Sequence, residues 1–107
     1  MGIEPRELEK LLGIGNGPVI LDVRSHFEFI AGHLPGANHL PFLKCLFSAS
    51  RVVPDKSAAI VLYCEHGPRA QLVGGLLKLF GYRSIRLLNG HMHRWRNEKR
   101  KIVRKSS

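Results

Sequence analysis

Cys64 has the sequence surroundings that nucleophilic chemistry needs. It follows a short apolar run, Ala59–Tyr63, whose length and composition predict a buried strand. The apolar segment over residues 69–80 predicts a helix that ends at Gly81. A turn between a strand and the start of a helix gathers backbone N–H groups without helical partners, together with the positive end of the helix dipole. Both features stabilise a thiolate, which is the reactive form of cysteine.

The residues after Cys64 favour a cradle for its sulfur. Gly67 lets the backbone turn its N–H groups inward because it has no Cβ atom, and the fixed φ of Pro68 suits the first turn of a helix. The loop that we assign to this site comprises Glu65, His66, Gly67, Pro68, Arg69 and Ala70. We predict that Cys64 is a reactive cysteine at the floor of a shallow pocket. The alternative is a buried structural cysteine at a strand end.

A second group of polar residues follows the second predicted strand. Asp22 lies near the end of that strand, and Arg24 comes shortly after it. Ser25 fits the N-cap of a helix over His26–Ala31, and Glu28 three residues later completes a capping box. Because Glu28 follows Arg24 by four residues, the two side chains are placed to pair across the strand-to-helix corner.

These motifs together resemble the rhodanese domain, the sulfurtransferase family. YCEHGPRA, followed by an apolar helix and Gly81-Tyr82, is similar to the active-site region of that family. The segment over residues 21–41 resembles its other signature, through Asp22-Val23-Arg24, Glu28-Phe29, Gly32-His33 and Pro35-Gly36-Ala37. Asn89-Gly90 with Trp95 matches the closing motif in part, and His91 stands where the family usually has a second glycine. The likeness runs from about residue 3 to residue 95.

The resemblance implies sulfur transfer through a persulfide on Cys64, without a metal or an organic cofactor. The donor is a small sulfur anion such as thiosulfate, whose oxygens Arg69 holds with help from His66, and the acceptor is a thiol or a protein. The residues that it implies as supporting scaffold near the loop are Asp22, Arg24, Glu28 and His33. Asp22 as a general acid or base is an alternative, and so is a catalytic His33 instead of a hydrogen-bonded loop residue.

Short predicted strands alternate with helices, which indicates one α/β domain over residues 1–107. We predict a central, mostly parallel sheet of about five short strands, with helices on both faces. The strands are expected at Ile3, 19–23, Leu40, 59–63 and 84–88, and the helices over 5–12, 26–31, 42–49, 69–80 and from His91 onwards. Ligands of such sheets bind beyond the carboxyl ends of the strands, where Cys64 lies.

Three details of these elements can be tested against a structure. The helix over residues 69–80 is predicted to bury Leu72, Leu76, Leu79 and Phe80. Gly74 and Gly75 interrupt it, for which close packing on the sheet is the expected reason. Cys45 fits a small core residue, and the alternative is a resolving thiol that pairs with Cys64.

The net charge of +9 is concentrated near the C-terminus. Residues 94–105 hold seven Lys and Arg residues against Glu98 alone. We predict a basic helix or tail at about 94–107 that is solvated or frayed, and binding of an acidic protein there is the alternative. Trp95 is the sole aromatic residue of this run, which disfavours nucleic-acid binding.

Other classes of protein fit the sequence less well. The sequence contains no apolar stretch of about 20 residues that would span a membrane, and its polar N-terminus does not resemble a signal peptide. A reactive thiol also favours a reducing compartment, so we expect a soluble, cytoplasmic monomer. His91 and His93 are two residues apart, which is the wrong spacing for zinc on one helical face. Residues 13–17 are glycine-rich, but they follow a helix and precede a strand, unlike a nucleotide-binding loop.

Two rival functions remain open from the sequence. A cysteine phosphatase or arsenate reductase also uses a thiolate in a cradle of amides, but relatives with this fold resemble Cys-x5-Arg. Here four residues separate Cys64 from Arg69, which makes a tighter cradle suited to one sulfur atom. The other rival is a non-enzymatic persulfide carrier or interaction module that docks through the basic tail.

Overall fold

The computed structural model describes residues 2–12 and 14–104. The elements in chain order are β1 (Gly2–Ile3), α1 (Pro5–Leu12), β2 (Val19–Asp22), α2 (His26–Ala31), β3 (Asn38–His39), a 3-10 turn (Phe42–Lys44), α3 (Cys45–Val52), β4 (Ala59–Tyr63), α4 (Pro68–Leu79), β5 (Ser84–Leu88) and α5 (His91–Asn97). The strands form one sheet in the order β1-β5-β4-β2-β3, and all neighbours are parallel. The predicted α/β fold and the sheet of five strands are therefore confirmed.

Helices cover both faces of the sheet because side chains alternate along each strand. In β4, Ile60 and Leu62 belong to a core cluster that includes residues of α3 and α4. Val61 and Tyr63 belong to a second cluster, which includes residues of α1 and α5. The central strand is thus buried on both sides, as a continuous apolar run of this length predicts.

Most of the predicted boundaries hold, and the exceptions lie in the middle of the chain. The capping box that begins α2 is present, because the side chain of Ser25 accepts from the N–H of Glu28 and the Glu28 carboxylate accepts from the N–H of Ser25. The strand expected at Leu40 ends one residue earlier, at His39. The helix expected over residues 42–49 begins as a 3-10 turn and continues to Val52. Of the glycine-rich turn, Gly13 lies outside the described residues.

The face that α4 buries differs from the prediction. The structure buries Ala70, Val73, Gly74 and Leu77. Leu76 and Phe80 are partly buried against the same core, as predicted. Leu72 and Leu79, which were expected in the core, are 55% and 81% exposed. Apolar residues occur all round this helix, so their spacing does not select a face. The start of the helix at Pro68, directly after the Cys64 loop, decides which side meets the sheet.

The basic C-terminal segment follows the domain surface as far as Val103, and most of its charged side chains are exposed, so of the two predicted forms it is solvated and not frayed there. Helix α5 ends at Asn97, and the indole N–H of Trp95 then donates to the carbonyl of Lys101 at 2.9 Å. Val103 forms an antiparallel bridge with His33. Residues 105–107 lie outside the described residues.

Ion pairs hold the same segment against the N-terminal part of the chain. The Arg94 guanidinium binds Glu4 at 2.9 Å and Glu98 at 2.8 Å. Arg100 binds Glu9 and Glu98. Much of the positive charge that the sequence places in a tail is therefore already matched by carboxylates. In the part of the chain that the structure describes, no helix has both the length and the apolar character that a bilayer crossing demands.

Gly75 has no packing reason to be glycine. A Cβ atom at Gly75 would have no neighbour within 4 Å, and one at Gly74 would lie 3.5 Å from Leu62, which is ordinary contact. The close packing expected from the sequence is therefore absent at Gly75.

We predict that Gly75→Ala raises the free energy of unfolding by about 0.5–1 kcal/mol, the difference in helix propensity between the two residues. Urea unfolding followed by circular dichroism would measure it. Gly81→Ala is the matched control, since its φ of +99° is unfavourable for alanine and we expect a loss of stability. A lower midpoint for Gly75→Ala would contradict the prediction.

Candidate active site

The parallel register of β2 and β4 brings the two polar groups of the sequence to one edge of the sheet. Asp22 pairs with Tyr63 in the register, and the N–H of Val23 donates to the carbonyl of Tyr63 at 3.1 Å. Arg24 and Cys64 therefore both lie just beyond the carboxyl ends of neighbouring strands. This edge is where ligands of open parallel sheets bind.

Two backbone N–H groups point at the sulfur of Cys64. The N–H of Gly67 lies 3.0 Å from Sγ and the N–H of Ala70 lies 3.4 Å from it. Helix α4 begins at Pro68, so these donors belong to its cap and first turn, where backbone N–H groups have no helical acceptors. Gly67 has a φ of +129°, a conformation that a side chain rarely adopts. The local arrangement is the amide cradle that the loop sequence predicts.

The sulfur is more enclosed than predicted. Cys64 is 1% exposed and packs with core residues such as Leu62 and Val73. The shallow open pocket expected from the sequence is therefore wrong for this structure. Of the loop residues, His66 and Pro68 are exposed while Gly67 is buried. A reagent reaches Sγ only if the loop moves, so the arrangement favours a thiol that is covered at rest.

Helix α5 holds the other side of the loop. The N–H of Met92 donates to the carbonyl of Cys64 at 3.0 Å, and the N–H of His93 donates to the carbonyl of Glu65 at 3.1 Å. These donors are available because they lie in the first turn of α5, where a helix leaves its N–H groups free. Gly90 and His91 both have left-handed backbone, with φ of 77° and 54°, and so turn the chain from β5 into this contact.

His91 is a site residue that the sequence marked only as a departure from the family pattern. Its Nδ1 accepts the N–H of Cys64 at 3.2 Å, and it is 7% exposed. Its pKa is lowered, chiefly by burial and also by the nearby His66. The ring is therefore held neutral, with the proton on Nε2. A Cβ atom at Gly67 would lie 3.1 Å from that Nε2, so the ring also limits where the loop can lie.

Arg24 is the centre of a buried ionic network. Its guanidinium donates to both oxygens of Asp22, at 3.0 and 2.8 Å, and to the carbonyl of Gly32 at 2.6 Å. A further contact of 3.3 Å reaches the Glu65 carboxylate in the loop. Asp22 is fully buried, and both of its oxygens are bound. This geometry favours a scaffold role for Asp22 over that of a general base.

Arg69 pairs with Glu28, which corrects the pairing expected between Arg24 and Glu28. Arg69 donates to both carboxylate oxygens of Glu28, at 2.7 and 3.0 Å. The sequence separation of four residues misled because α2 turns Glu28 back to cap its own first turn. One edge of the Arg69 guanidinium is thus occupied, and its remaining N–H groups are those left for an anion.

The remaining loop residues face a cluster of charges and histidines. Glu65 binds Arg96 at 2.7 and 3.2 Å, and these hydrogen bonds are the main cause of its lowered pKa. His66 lies near His93, with ring centroids 4.9 Å apart. Possible ligand atoms of Glu65, His66 and His93 lie within 4.8 Å of one another. Because arginines already hold the carboxylate of Glu65, this cluster fits a metal ion poorly.

His33 and Cys45 have structural surroundings, and Cys45 is a free thiol in the same core cluster as Cys64. His33 is buried, its Nδ1 contacts the carbonyl of Phe29 at 2.7 Å, and its ring stacks on that of Phe29. It is a hydrogen-bonded loop residue in this structure. Cys45 is fully buried in the core, and burial raises the pKa of its thiol, which disfavours a reactive thiolate there.

Two clefts border the site. One has a volume of about 280 Å³ and is lined by Arg24, Arg96 and Arg104 together with Glu28 and Glu65. The other has a volume of about 490 Å³, and Arg24 and Arg69 lie beside its largely apolar lining. Arg24 therefore lines both clefts. In the first cleft three guanidinium groups face two carboxylates, which leaves one positive charge in excess.

We predict that His91→Ala is less stable than His91→Gly by about 1 kcal/mol, the cost of left-handed backbone in a residue with a Cβ atom. Both variants lose the acceptor for the N–H of Cys64, so their difference isolates the backbone. Urea unfolding of the two variants would measure it. Equal stabilities would contradict the left-handed conformation of residue 91.

We predict that the contribution of the Glu28–Arg69 pair to stability falls at acid pH. Hydrogen bonds from Arg69 lower the pKa of Glu28 to about 2, below its value of about 4.3 in an unfolded chain. A carboxyl with a depressed pKa stabilises fully above the unfolded value and loses that effect as the pH falls towards the folded one.

The measurement compares the unfolding midpoint of the unmodified protein with that of Glu28→Gln. The gap should be largest at neutral pH and should shrink below a pH of about 4.3. Glu9→Gln is the control at an exposed pair. A gap that is independent of pH would contradict the prediction, because it would show that the charge of Glu28 does not contribute to stability.

Comparisons with known proteins agree with this geometry. The family model of the rhodanese-like domain matches residues 4–98. The tRNA uridine(34) hydroxylase of Protochlamydia amoebophila is 31% identical over 94 residues, which are 82% of this chain and 29% of that protein. The thiosulfate sulfurtransferase GlpE of Ectopseudomonas mendocina is 28% identical, over 88% of this chain and 83% of its own length.

A solved structure shows the same fold over nearly the whole chain. The rhodanese-related protein of Thermoplasma volcanium superposes with a TM-score of 0.83 at 21% identity, covering 97% of this chain and 98% of that one. At this identity the likeness supports the fold, while the family match rests on the sequence. The chain belongs to the rhodanese-like domain family.

Proposed function

We propose that this protein is a sulfurtransferase that carries sulfane sulfur on Cys64. The observation that carries the proposal is the pair of N–H groups, from Gly67 and Ala70, directed at Sγ. Such donors at a helix start stabilise the thiolate that attacks the donor and that is regenerated when the outer sulfur leaves. The name of the Ectopseudomonas mendocina relative, a thiosulfate sulfurtransferase, supports this class of reaction.

In the first step the Cys64 thiolate attacks the outer sulfur of a donor such as thiosulfate. A new S–S bond forms to Sγ, the S–S bond of the donor breaks, and its electron pair leaves with sulfite. The basic residues beside the loop, of which Arg24 lines both clefts, attract the anionic donor. The free N–H groups of Arg69, with help from His66, then hold the oxygens of the donor.

In the second step an acceptor removes the outer sulfur. A thiolate or cyanide attacks that atom, the bond to Sγ breaks, and its electron pair restores the Cys64 thiolate. The two displacements balance without an external oxidant or reductant. A reactive thiol needs reducing surroundings, so we place this activity in the cytoplasm.

The geometry is less favourable to the phosphatase alternative. A phosphatase needs room in the cradle for a tetrahedral phosphate and its ester group. The cradle itself has two donors at Sγ and is closed to solvent. These features suit a single sulfur atom better than a phosphate ester.

We predict that thiosulfate adds the mass of one sulfur atom to the protein and that Cys64→Ala abolishes this addition. Cys45→Ala is the matched control, because Cys45 is buried in the core and its thiol pKa is raised. Intact-protein and peptide mass spectrometry would locate the sulfur. Cyanide should then remove it and yield thiocyanate.

The outcome also separates the enzyme from the carrier. Repeated turnover with thiosulfate and cyanide supports the enzyme. A protein that exchanges persulfide rapidly with another thiol but turns over thiosulfate slowly is a carrier. An unmodified Cys64, or sulfur found on Cys45, would contradict the proposal.

A further inference from the structure

Three large apolar side chains close to the Cys64 loop are exposed to solvent. Leu43 and Phe47 are both 82% exposed, and Phe27 is 79% exposed. Leu43 and Phe47 are four residues apart on consecutive helical turns, so they lie on one side of that segment. Scattered apolar residues are common on protein surfaces, but a group beside a cleft is typical of an interaction site.

Of these three residues, Leu43 lines the larger of the two clefts described above. Its apolar lining includes Val23, Pro41, Phe42 and Leu43. His26, the neighbour of Phe27, lines it as well. Phe47 continues the apolar surface of Leu43 along α3. We call this surface the 43/47 cleft.

The 43/47 cleft is continuous with the sulfur site. Arg69, which lines it, lies in the loop that encloses Cys64. Val23 belongs to the same core cluster as Cys64, and Arg24 contacts the loop through Glu65 at 3.3 Å. A molecule seated in the cleft is therefore placed beside the loop that must move before Sγ can react.

The charges of the cleft select an anionic occupant. Its lining contains Arg24, Lys44 and Arg69, and no Asp or Glu side chain lines it. Glu28 neutralises part of Arg69, and Asp22 does the same for Arg24, whereas Lys44 is exposed. The net charge of the chain is +9, which opposes a second copy of the same chain as the occupant.

We propose that the 43/47 cleft docks an acceptor protein through a segment that has apolar and acidic side chains and carries the acceptor thiol. This inference rests on the proposed sulfurtransferase function and names the class of acceptor. Apolar side chains of the segment cover Leu43 and Phe47, and its carboxylates meet Lys44. The surface is distinct from the basic C-terminal segment, where the sequence offers an acidic partner as the alternative to a solvated tail.

The chemical step is the second displacement with a protein thiol. The thiolate of the docked segment attacks the outer sulfur of the Cys64 persulfide. An S–S bond forms on the acceptor, the bond to Sγ breaks, and its electron pair stays on Sγ. A proton carried by the outer sulfur moves with it, so the products are a protein persulfide and the Cys64 thiolate.

The test compares a docked acceptor with one too small to use the cleft. The first probe is a synthetic peptide with one cysteine flanked by leucine, phenylalanine and two glutamates. The second probe is cyanide. The full chain is loaded with thiosulfate, and kcat/KM is measured for both acceptors.

Leu43→Ser and Phe47→Ser should each reduce kcat/KM for the peptide by about tenfold, the effect of removing one buried apolar contact. Values for cyanide should remain within about twofold, which in free-energy terms is about a third of a tenfold effect. Leu79→Ser is the matched control, since Leu79 is 81% exposed at the far end of α4. It should change neither acceptor.

Charge reversal tests the second half of the proposal. Lys44→Glu should reduce the peptide reaction, and the reduction should weaken in high salt because the attraction is screened. Lys78→Glu, an exposed lysine in the last turn of α4, is its control. A peptide with lysines in place of the glutamates should react more slowly with the unmodified protein.

Equal losses for peptide and cyanide would overturn the docking proposal, and so would an unchanged peptide reaction in Leu43→Ser and Phe47→Ser. Failure of the proposed function looks different, because the unmodified protein would then fail with cyanide as well. Circular dichroism of each variant shows that the fold is retained, as expected for substitutions at exposed positions.

Discussion

The site depends on the contact between the Cys64 loop and the first turn of α5. Two N–H groups of that turn, from Met92 and His93, bind the carbonyls of Cys64 and Glu65 at 3.0 and 3.1 Å. These two hydrogen bonds hold the carbonyl groups on one side of the loop. On its other side, the N–H groups at the start of α4 point towards Sγ. A helix start has unpaired donors in any fold, and here two helix starts share one loop. The sulfur cradle is therefore a product of topology, because both helices begin at the carboxyl edge of neighbouring parallel strands.

A buried arginine joins the rest of the site to that loop. Arg24 is 2% exposed and binds Asp22, the carbonyl of Gly32 and the Glu65 carboxylate. A buried cation costs desolvation, which only well-placed hydrogen bonds offset. Removing any one partner would leave charge uncompensated, so the network fixes geometry more than it adds stability. It ties the end of β2, the end of α2 and the loop to one guanidinium, and Arg96 secures the other side of Glu65 at 2.7 Å.

The features that depend on short-range rules could be predicted from the sequence. The features that depend on contacts between distant parts of the chain could not. The alternation of strands and helices, the capping box at Ser25 and the inward N–H group of Gly67 are local consequences of residue type, and the structure has them. The prediction of the buried face of α4 was wrong. The helix is apolar on all sides, so the spacing of its apolar residues does not indicate which side meets the sheet, and Leu79 is exposed. Glu28 binds Arg69 instead of Arg24 since the loop comes from a distant part of the chain. His91 could be marked only as an unusual residue, and its contact with the N–H of Cys64 required the fold.

The enclosure of Cys64 follows from the same contacts and sets a condition on the chemistry. A persulfide is longer than a thiol by one sulfur atom, and a residue that is 1% exposed offers little room for it. Sulfur loading therefore requires the loop to move. The movement is resisted by the hydrogen bond from the N–H of Cys64 to His91, a ring that is held neutral by burial. While the loop is closed, the thiol is protected from oxidation, which depends on exposure of the thiolate. The loop opens only when an arriving donor or partner replaces the contacts that hold it.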